Sequence, residues 1–402
     1  MLGELLTTMS KLEELIERYC PDGVEYKHLA GKTNKDAVAR IERGKRITKT
    51  DLKVDGQYIV MSGGIDPMGR YNDKNRSAYT VTVSSYGAAG YVAYITEDFW
   101  ANDVCLSIYP KDETILNNKY MFYALKSQQQ YIYDNTTHAI PDHIPTEFLE
   151  NLEIPVPPLP VQEEIVRILD KFTELEEELE EELELRKKQY EYYRDKMFSL
   201  SEDVDSYPIT DVFDMRNGYT PSKSNAEYWT DGIVNWFRME DIRANGHVLD
   251  SAIQKVSESA VKGGRLFKAN SIMLATSATI GEHALVKVNC LGNQRFTFFS
   301  VKDSFEKDVN MDYMNYYFYI IDEWCKTHLH QGNFASVDMD ALKKLQIPIP
   351  DITEQNKIVE LLDRFSTLTE DISEGLPAEI KMRRQQYEYY RDKLLTFKRL
   401  EC

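Results

Sequence analysis

Two stretches of the chain carry the same eight residues, QYEYYRDK, at positions 189–196 and 386–393. They belong to a longer duplication. Residues 154–172 (IPVPPLPVQEEIVRILDKF) align without a gap with residues 347–365 (IPIPDITEQNKIVELLDRF). A period of about two hundred residues indicates two tandem copies of one domain and not a solenoid of short repeats.

Other pairs extend the duplication towards the start of each copy. Tyr120 corresponds to Tyr313 at the same offset of 193 residues, and Asn102 corresponds to Asn293 at an offset of 191. The second copy carries four extra residues before the repeated octamer, whose offset is 197. The whole chain is therefore predicted to consist of two similar units.

Each copy begins with a mixed region and ends with a helical one. Residues 79–95 and 270–286 alternate apolar residues around glycines, which predicts strand–turn–strand segments. Residues 119–133 and 314–328 are typical of helices. The prediction is an α+β fold with globular domains at 1–153 and 205–346, and helical regions at 154–204 and 347–402.

The first helical region is predicted to be one long helix. Residues 162–200 contain neither Gly nor Pro, and apolar residues recur every three or four positions, from Ile165 to Leu200. About 39 residues at 1.5 Å each would span roughly 58 Å. The second helical region has the same apolar seam, interrupted at Gly375-Leu376-Pro377. An amphipathic helix needs a partner for its apolar face, so the two regions are predicted to pair antiparallel, with a domain at each end.

Charge is distributed unevenly along the chain. The net charge is −18, which by itself disfavours contact with nucleic acid. Residues 174–184 (ELEEELEEELE) contribute eight acids and no base, whereas residues 40–49 (RIERGKRITK) contribute five bases and one acid. Local patches therefore decide what the chain can bind, although a charge run is often only a solvated surface.

Composition and motifs indicate a cytoplasmic protein without a catalytic site. The five cysteines form no CxxC pair, which fits a reducing compartment, and no apolar run is long enough to span a membrane. No P-loop, GxGxxG fingerprint or NPPY-type methyltransferase tetrapeptide occurs. No metal-ligand spacing is apparent, so neither a metal nor any other cofactor is expected in this chain.

Polar and basic residues near glycines form the candidate DNA-binding set. Arg and Lys can hold guanine or phosphate, Asn and Gln can bond adenine, and glycine lets the backbone approach the duplex. In the first domain the set is Arg43, Lys45, Arg46, Lys49, Ser62, Gly63, Arg70, Asn72, Ser84 and Ser85. In the second it is Arg216, Tyr219, Lys223, Arg238, Arg243, Ser277, Thr279, Asn293, Gln294 and Arg295. As composition alone this signal is weak, because polar glycine-rich loops are common.

The octamer is predicted to place tyrosines on the helix seam and charges on the outer face. Identical outer faces in two copies suggest two copies of one partner. The candidate docking residues are Glu191, Arg194, Lys196, Glu388, Arg391 and Lys393.

Taken together, IPVPPLPVQEEIVRILDKF, KKQYEYYRDK, MSGGIDPMGRYN, NGYTPSKSNAEYW, WFRMEDI and ATSATIGEHAL resemble the specificity subunit of type I restriction–modification systems. The resemblance covers essentially the whole chain. It implies two target-recognition domains, each reading one half of a split, asymmetric site on double-stranded DNA, and a helical spacer that docks two methyltransferase subunits. It further implies that restriction (translocase) subunits join the complex, and that S-adenosylmethionine, ATP and Mg²⁺ act only in the partner subunits.

A second interpretation of the chain's function remains open. The chain could be an assembly scaffold that bridges two protein partners and leaves DNA reading to them. Exchanging the first domain for that of another member separates the two readings, because only a reader would change its target.

Overall fold

The computed structural model describes residues 2–31, 33–137, 142–198, 204–330, 335–370 and 375–400, without the side chains of residues 2–10, 369 and 370. By packing, the chain forms two compact units. The first comprises Met1–Glu180 together with Glu379–Cys402, and the second comprises Glu181–Ala378. None of the described helices is long and apolar enough to cross a membrane.

In the described residues of the first mixed region, four helices and nine strands precede the long helix. In chain order they are α1 (Leu2–Tyr19), β1 (Tyr26–His28), β2 (Ala39–Arg43), β3 (Tyr58–Met61), β4 (Gly69–Tyr71), β5 (Thr80–Ser84), β6 (Val92–Ile95), β7 (Phe99–Ala101), β8 (Cys105–Pro110), α2 (Asn118–Ser127), α3 (Gln129–Asp134), α4 (Thr146–Asn151) and β9 (Glu153–Pro155). The predicted strand–turn–strand segment is β5 and β6, and the predicted helix is divided into α2 and α3.

These strands form two sheets and a small ladder. The order in the larger sheet is β2-β8-β5-β6, with every neighbouring pair antiparallel. The smaller sheet has the order β4-β3-β7, in which β3 and β7 run parallel. Strand β1 pairs with β9 at the end of the domain. The core lies between the larger sheet and α2, where Tyr120, Met121 and Val83 are fully buried.

The helix α5 (Leu159–Phe198) follows and runs from the first unit into the second. The second mixed region then contains β10 (Ser206–Pro208), α6 (Ile209–Val212), β11 (Phe213–Asn217), β12 (Val234–Phe237), α7 (Met239–Asn245), β13 (Val248–Leu249), β14 (Lys255–Val256), β15 (Ser271–Ala275), β16 (His283–Val286), β17 (Cys290–Gly292), β18 (Phe296–Val301), α8 (Met311–Thr327), β19 (Leu329–His330), β20 (Ser336–Val337), α9 (Met339–Leu342) and β21 (Gln346–Pro348). Three short 3-10 helices lie at Ala226–Trp229, Glu258–Ala260 and Lys262–Gly264.

The strand order confirms the internal repeat. The larger sheet of the second unit is β11-β18-β15-β16-β13, which repeats β2-β8-β5-β6 and adds one edge strand. The smaller sheet, β14-β12-β17, again joins an antiparallel and a parallel pair. The ladder of β10 with β21 repeats that of β1 with β9.

The predicted long helix is confirmed as α5, although it begins three residues earlier than predicted. The interruption in the second copy is also confirmed: α10 (Ile352–Glu370) and α11 (Leu376–Leu394) are separate helices. Residues 199–203, including Leu200 of the predicted seam, lie outside the described residues, as do residues 371–374.

Each unit pairs helix segments from both halves of the sequence. In the first unit, Phe172 of α5 stacks on Tyr390 of α11, with ring centroids 5.3 Å apart, and Arg384 of α11 pairs with Glu176 and Glu180 of α5. These contacts run in opposite directions along the two helices, so the packing is antiparallel. The hydrogen bonds to the two glutamates raise the pKa of Arg384.

The second unit repeats this contact with equivalent residues. Tyr193 of α5 stacks on Phe365 of α10, with centroids 6.0 Å apart. Phe365 corresponds to Phe172, and Tyr193 corresponds to Tyr390 in the repeated octamer. Each copy of QYEYYRDK thus packs on the helix that follows the other domain. Equivalent packing explains why the tyrosines recur.

Buried polar networks are also duplicated. Gln162 accepts a hydrogen bond from the Asn117 N–H (2.8 Å), and Gln355 accepts one from the Asn310 N–H (2.8 Å). Both glutamines are fully buried, and each side chain also donates to two carbonyls of its own unit. These bonds fix the start of α2 and of α8 against the following long helix.

The predicted outward orientation is wrong for two docking residues. The Arg194 side chain is only 13% exposed because its guanidinium lies 4.7 Å from the centre of the Tyr319 ring, where cation–π attraction and packing hold it. Arg391 is 17% exposed and lies beside Tyr387. The remaining docking candidates are exposed: Glu191, Lys196, Glu388 and Lys393.

Candidate nucleic-acid interface

The end of β2 and the loop that follows it, together called the basic loop, present four exposed cations: Arg43, Lys45, Arg46 and Lys49. Within the described part of the chain none of them forms an ion pair, since the neighbouring Glu42 is paired with Arg40 and Arg76. Four unpaired positive charges on about seven residues form a local patch that can meet phosphate despite the net charge of −18.

Backbone contacts hold this loop against the end of β7. The Lys45 N–H donates to the Ala101 carbonyl (2.9 Å), and the Trp100 indole donates to the Lys45 carbonyl (2.8 Å). Gly44 lies so close to the Asn102 carbonyl that a Cβ atom there would clash. A glycine is therefore required where the loop leaves the strand.

The glycine loop at residues 62–64 lies next to the turn that follows β5. The Gly63 carbonyl accepts from the Ala88 N–H (2.6 Å), and a Cβ at Gly63 would clash with the Tyr86 carbonyl. Tyr86 is exposed and stacks on His143, with centroids 5.3 Å apart. The predicted Gly63 is thus held beside the turn at residues 86–88.

Ser84 and Ser85 occupy a different environment from the one predicted. Both are buried, and the Ser85 hydroxyl donates to the Val104 carbonyl (2.9 Å). The Ser84 hydroxyl faces the Ser62 carbonyl at 3.4 Å. This placement argues against direct base contact by either serine, because their hydroxyls are used inside the domain.

Arg70 lies within β4, and Asn72 directly follows this strand. The Arg70 guanidinium donates to the Gly56 and Gln57 carbonyls, both at 2.7 Å. It therefore braces the loop before β3. Asn72 is exposed.

The second unit assembles an equivalent set of loops. Gly218 corresponds to Gly44 and would clash with the Asn293 carbonyl if it carried a Cβ. The following Tyr219 donates its N–H to the Gly292 carbonyl (2.7 Å), and its carbonyl accepts from the Trp236 indole (3.0 Å). A tryptophan again holds the loop after the first strand of the larger sheet.

Five of the predicted residues lie on two turns that meet at this end of the second domain. Thr276 donates its N–H to the Arg295 carbonyl (2.9 Å), which joins the turn carrying Ser277 and Thr279 to the turn carrying Asn293, Gln294 and Arg295. Gln294 bonds the Thr220 hydroxyl. Gln294 and Arg295 are exposed, as is Lys223 on the loop after Gly218.

Three predicted arginines of the second unit differ in their surroundings. Arg216 donates to the Leu266 carbonyl (2.8 Å) and stacks over Phe267, at 4.1 Å from the ring centre. Arg238 lies beside Trp236, and its buried Nε makes no hydrogen bond among the described residues but lies 3.8 Å from a Glu240 carboxylate oxygen. Arg243 is exposed on α7. The structure thus gathers the residues of the turns, whereas the recorded side-chain contacts of Arg216 and Arg238 are with other parts of the domain.

The cysteines of the described chain are buried, free thiols. Burial raises the pKa of Cys105 to about 12 and that of Cys325 to about 12, so neither thiol is a nucleophile near neutral pH. No group of three or more His, Cys, Asp or Glu residues in the described ranges could hold a metal ion.

Asn102 is a candidate residue that was not among the predicted DNA-binding residues. Asn102 is 5% exposed, and its carboxamide bonds both loops of the first domain. The correspondence with Asn293 marks the position as part of the repeat. Only the fold shows which loops it touches.

The family model for the type I restriction modification DNA specificity domain matches the chain twice, at residues 32–185 and 201–382. The chain belongs to this family. Type I specificity subunits are the DNA-recognising, non-catalytic members of their complexes, and the catalytic activities belong to partner subunits.

Two relatives and one solved structure agree with this assignment. The EcoprrI specificity subunit of Escherichia coli is 48% identical over 203 residues, which are 49% of this chain and 51% of that subunit. The chain thus spans about half the length of that relative. The EcoR124I/EcoR124II specificity subunit of Escherichia coli is 35% identical over 305 residues, covering 70% of this chain and 72% of that subunit.

The crystal structure of a type I restriction–modification S subunit from M. genitalium has the same fold. It superposes with a TM-score of 0.53 at 18% identity, covering 93% of this specificity subunit and 96% of the other.

Proposed function

We propose that this specificity subunit reads an interrupted, asymmetric site on double-stranded DNA, one half with each domain. The main support is that two units present equivalent loop sets, each built around a glycine after the first strand of the larger sheet. One good bidentate base contact contributes about 1–3 kcal/mol of discrimination. Two half-sites read together therefore give a selectivity that neither domain reaches alone.

The proposed complex is a cytoplasmic assembly with two methyltransferase subunits and, through them, restriction subunits. With a net charge of −18, the isolated subunit meets phosphate only through local patches and binds DNA weakly. Affinity rises when the methyltransferase subunits enclose the duplex. S-adenosylmethionine, ATP and Mg²⁺ are bound by the partners.

The test is an exchange of residues 1–153 for the first domain of another family member, followed by long-read mapping of methylated bases in a host carrying the partner subunits. The expected result is a target in which one half changes and the other half is kept. If the chain were a scaffold that leaves reading to its partners, the target would stay the same. An unchanged target in a folded, assembled complex would therefore contradict the proposal.

The methyltransferase subunits dock, in this proposal, on the outer faces of the two octamer copies. Tyr192 is 60% exposed and Tyr389 is 61% exposed, at equivalent positions between the charged docking candidates. Each leans edge-on against the next tyrosine, at 5.4 and 5.3 Å between ring centroids. A preorganised, exposed aromatic pair is a typical anchor of a protein interface.

Replacing these two tyrosines is expected to weaken assembly without affecting the fold. Tyr192→Ala combined with Tyr389→Ala should weaken methyltransferase binding about 30-fold or more, the effect of losing an interface hot spot. Each single variant should weaken the binding of one subunit only, which analytical ultracentrifugation of the complex can resolve.

Matched controls come from apolar side chains that are equally exposed on the same helices. Leu185 of α5 is 66% exposed and Met382 of α11 is 58% exposed, and both lie outside the octamers. Leu185→Ala and Met382→Ala are expected to bind the partner normally. Equal weakening by the controls and the tyrosine variants would contradict the docking assignment.

A further inference from the structure

Asn102 joins two candidate DNA-binding loops of the first domain through a single buried side chain. Its carboxamide oxygen accepts from the Ile47 N–H (3.0 Å), and its carboxamide nitrogen donates to the Ile47 carbonyl (3.1 Å). The same nitrogen faces the Ser62 hydroxyl at 3.4 Å. One side chain thus provides hydrogen-bond partners for both the N–H and the carbonyl of Ile47, as the backbone of a neighbouring strand would.

Ile47 is the midpoint of the basic loop. On its two sides lie Arg46 and Lys49, whose side chains are exposed. The loop is held before this point by Lys45, and after it by Thr48, whose N–H donates to the Asp51 carboxylate (2.7 Å). Asn102 supplies the contact that fixes the centre, so the direction of the cations depends on it.

The position of Asn102 is itself firmly set. Its N–H donates to the Met61 carbonyl (2.8 Å), and it directly follows β7. The side chain therefore has little freedom to follow a moving loop. A rigid support behind a binding loop keeps its charged groups within the tolerance that base recognition needs.

The second domain holds its equivalent loop differently. Asn293 keeps the backbone contact, with its N–H donating to the Phe237 carbonyl (3.0 Å), but its side chain accepts from the Arg295 N–H (3.1 Å) within its own turn. The loop contact is made by Gln294 to Thr220 instead. An effect of Asn102 is therefore confined to one half of the target.

We propose that Asn102 is a positioning residue that sets base discrimination at the half-site read by the first domain. It acts through the loop at residues 45–49 and touches no base itself. This inference rests on the proposed function, because it assumes that the loop meets DNA.

The experiment compares Asn102→Ala and Asn102→Asp in the full complex with its methyltransferase subunits. Asn102→Asp retains the acceptor for the Ile47 N–H but loses the donor to the Ile47 carbonyl. Binding is measured by competition between duplexes that carry one altered base in either half-site. Since one wrong base pair costs about 1–3 kcal/mol, loss of a well-placed contact should reduce discrimination in the first half-site about ten-fold. Discrimination in the second half-site should be unchanged for both variants.

The matched control is Asn34→Ala. The Asn34 carboxamide nitrogen donates to the Ala30 carbonyl (2.8 Å) and to the Glu150 carbonyl (3.2 Å), so it also joins two segments of the first domain, but its recorded contacts lie outside the basic loop. If Asn34→Ala reduces first-half discrimination as much as Asn102→Ala does, the effect is general loosening of the domain and the proposal is overturned.

A double-mutant cycle gives a readout that mere destabilisation would not move. If Asn102 acts by placing Arg46, the effect of Arg46→Ala on first-half discrimination should largely disappear in the Asn102→Ala background. Additive effects would overturn the proposal. An unchanged target after the domain exchange would contradict the proposed function itself. A successful exchange with intact discrimination in both Asn102 variants would reject this inference alone.

Discussion

Deleting residues 178–181 from α5 is expected to change the gap between the two half-sites by one or two base pairs. Four helical residues rise about 6 Å, and base pairs are stacked about 3.4 Å apart. The deletion keeps the helix seam, because Leu175, Leu179 and Leu183 recur every fourth residue. It also brings Glu184 to the place of Glu180, opposite Arg384. The deletion thus keeps the leucine spacing and a glutamate opposite Arg384 while α5 becomes about one turn shorter.

The measurement is the spacing of methylated bases mapped by long-read sequencing in a host with the partner subunits. A length-preserving control, Glu178→Gln with Glu181→Gln, alters the same stretch without shortening it and should leave the gap unchanged. An assembled, active deletion variant that keeps the original gap would show that α5 does not set the spacing.

Replacing His283 with valine is expected to lower the free energy of unfolding of the second unit by about 3–5 kcal/mol, the cost of leaving a buried charged partner alone. His283 is fully buried. Its Nδ1 lies 2.5 Å from the Asp322 carboxylate, and its Nε2 donates to the Asn315 carbonyl (2.8 Å). The other Asp322 oxygen has no partner among the described residues, so the carboxylate depends on the histidine.

Urea unfolding of the full chain measures this loss of stability. Hydrogen exchange of the amides in β15 and β16 reports on the second unit, and the amides of the first unit serve as an internal reference. The control variant carries the residue types that the first domain has at the positions corresponding to His283 and Asp322, which are Val92 and Gln129. There the Gln129 carboxamide accepts from the Val92 N–H (2.9 Å) and donates to the Gly90 carbonyl (2.7 Å). His283→Val with Asp322→Gln should therefore recover most of the stability. A loss below about 1 kcal/mol in the single variant would contradict the role given to the pair.

Local patterns were enough to predict the strand pairs around the glycine turns and the long helix. Alternating apolar residues around glycines predicted β5 with β6 and β15 with β16, and the absence of Gly and Pro predicted α5. The duplication predicted that both units share one topology. Each of these signals lies within a short window of sequence or in its direct repetition.

Long-range pairing was not accessible in the same way. The order β2-β8-β5-β6 joins strands far apart in sequence, and periodicity does not reveal which strand edge meets which. The predicted orientation failed at Arg194 because a helical wheel counts arginine as polar, whereas its guanidinium packs on Tyr319 of α8.

At the candidate interface, residue type indicated the basic loop but not its support. Lys45, Arg46 and Lys49 are visible as a charge run. Ser84 and Ser85 were chosen because they precede a turn, yet their burial places them inside the domain. Asn102 is an ordinary asparagine in the sequence, and its paired contact with Ile47 depends on how β7 lies beside the loop.

The discontinuous first unit has a consequence for synthesis. Its residues include 379–402, whereas the second unit is made of residues 181–378 alone. On the ribosome, the nascent chain therefore completes the residues of the second unit before those of the first. The first unit therefore stays incomplete during synthesis. Its α5 surface around Phe172 is uncovered until α11 has been translated and Tyr390 packs against Phe172.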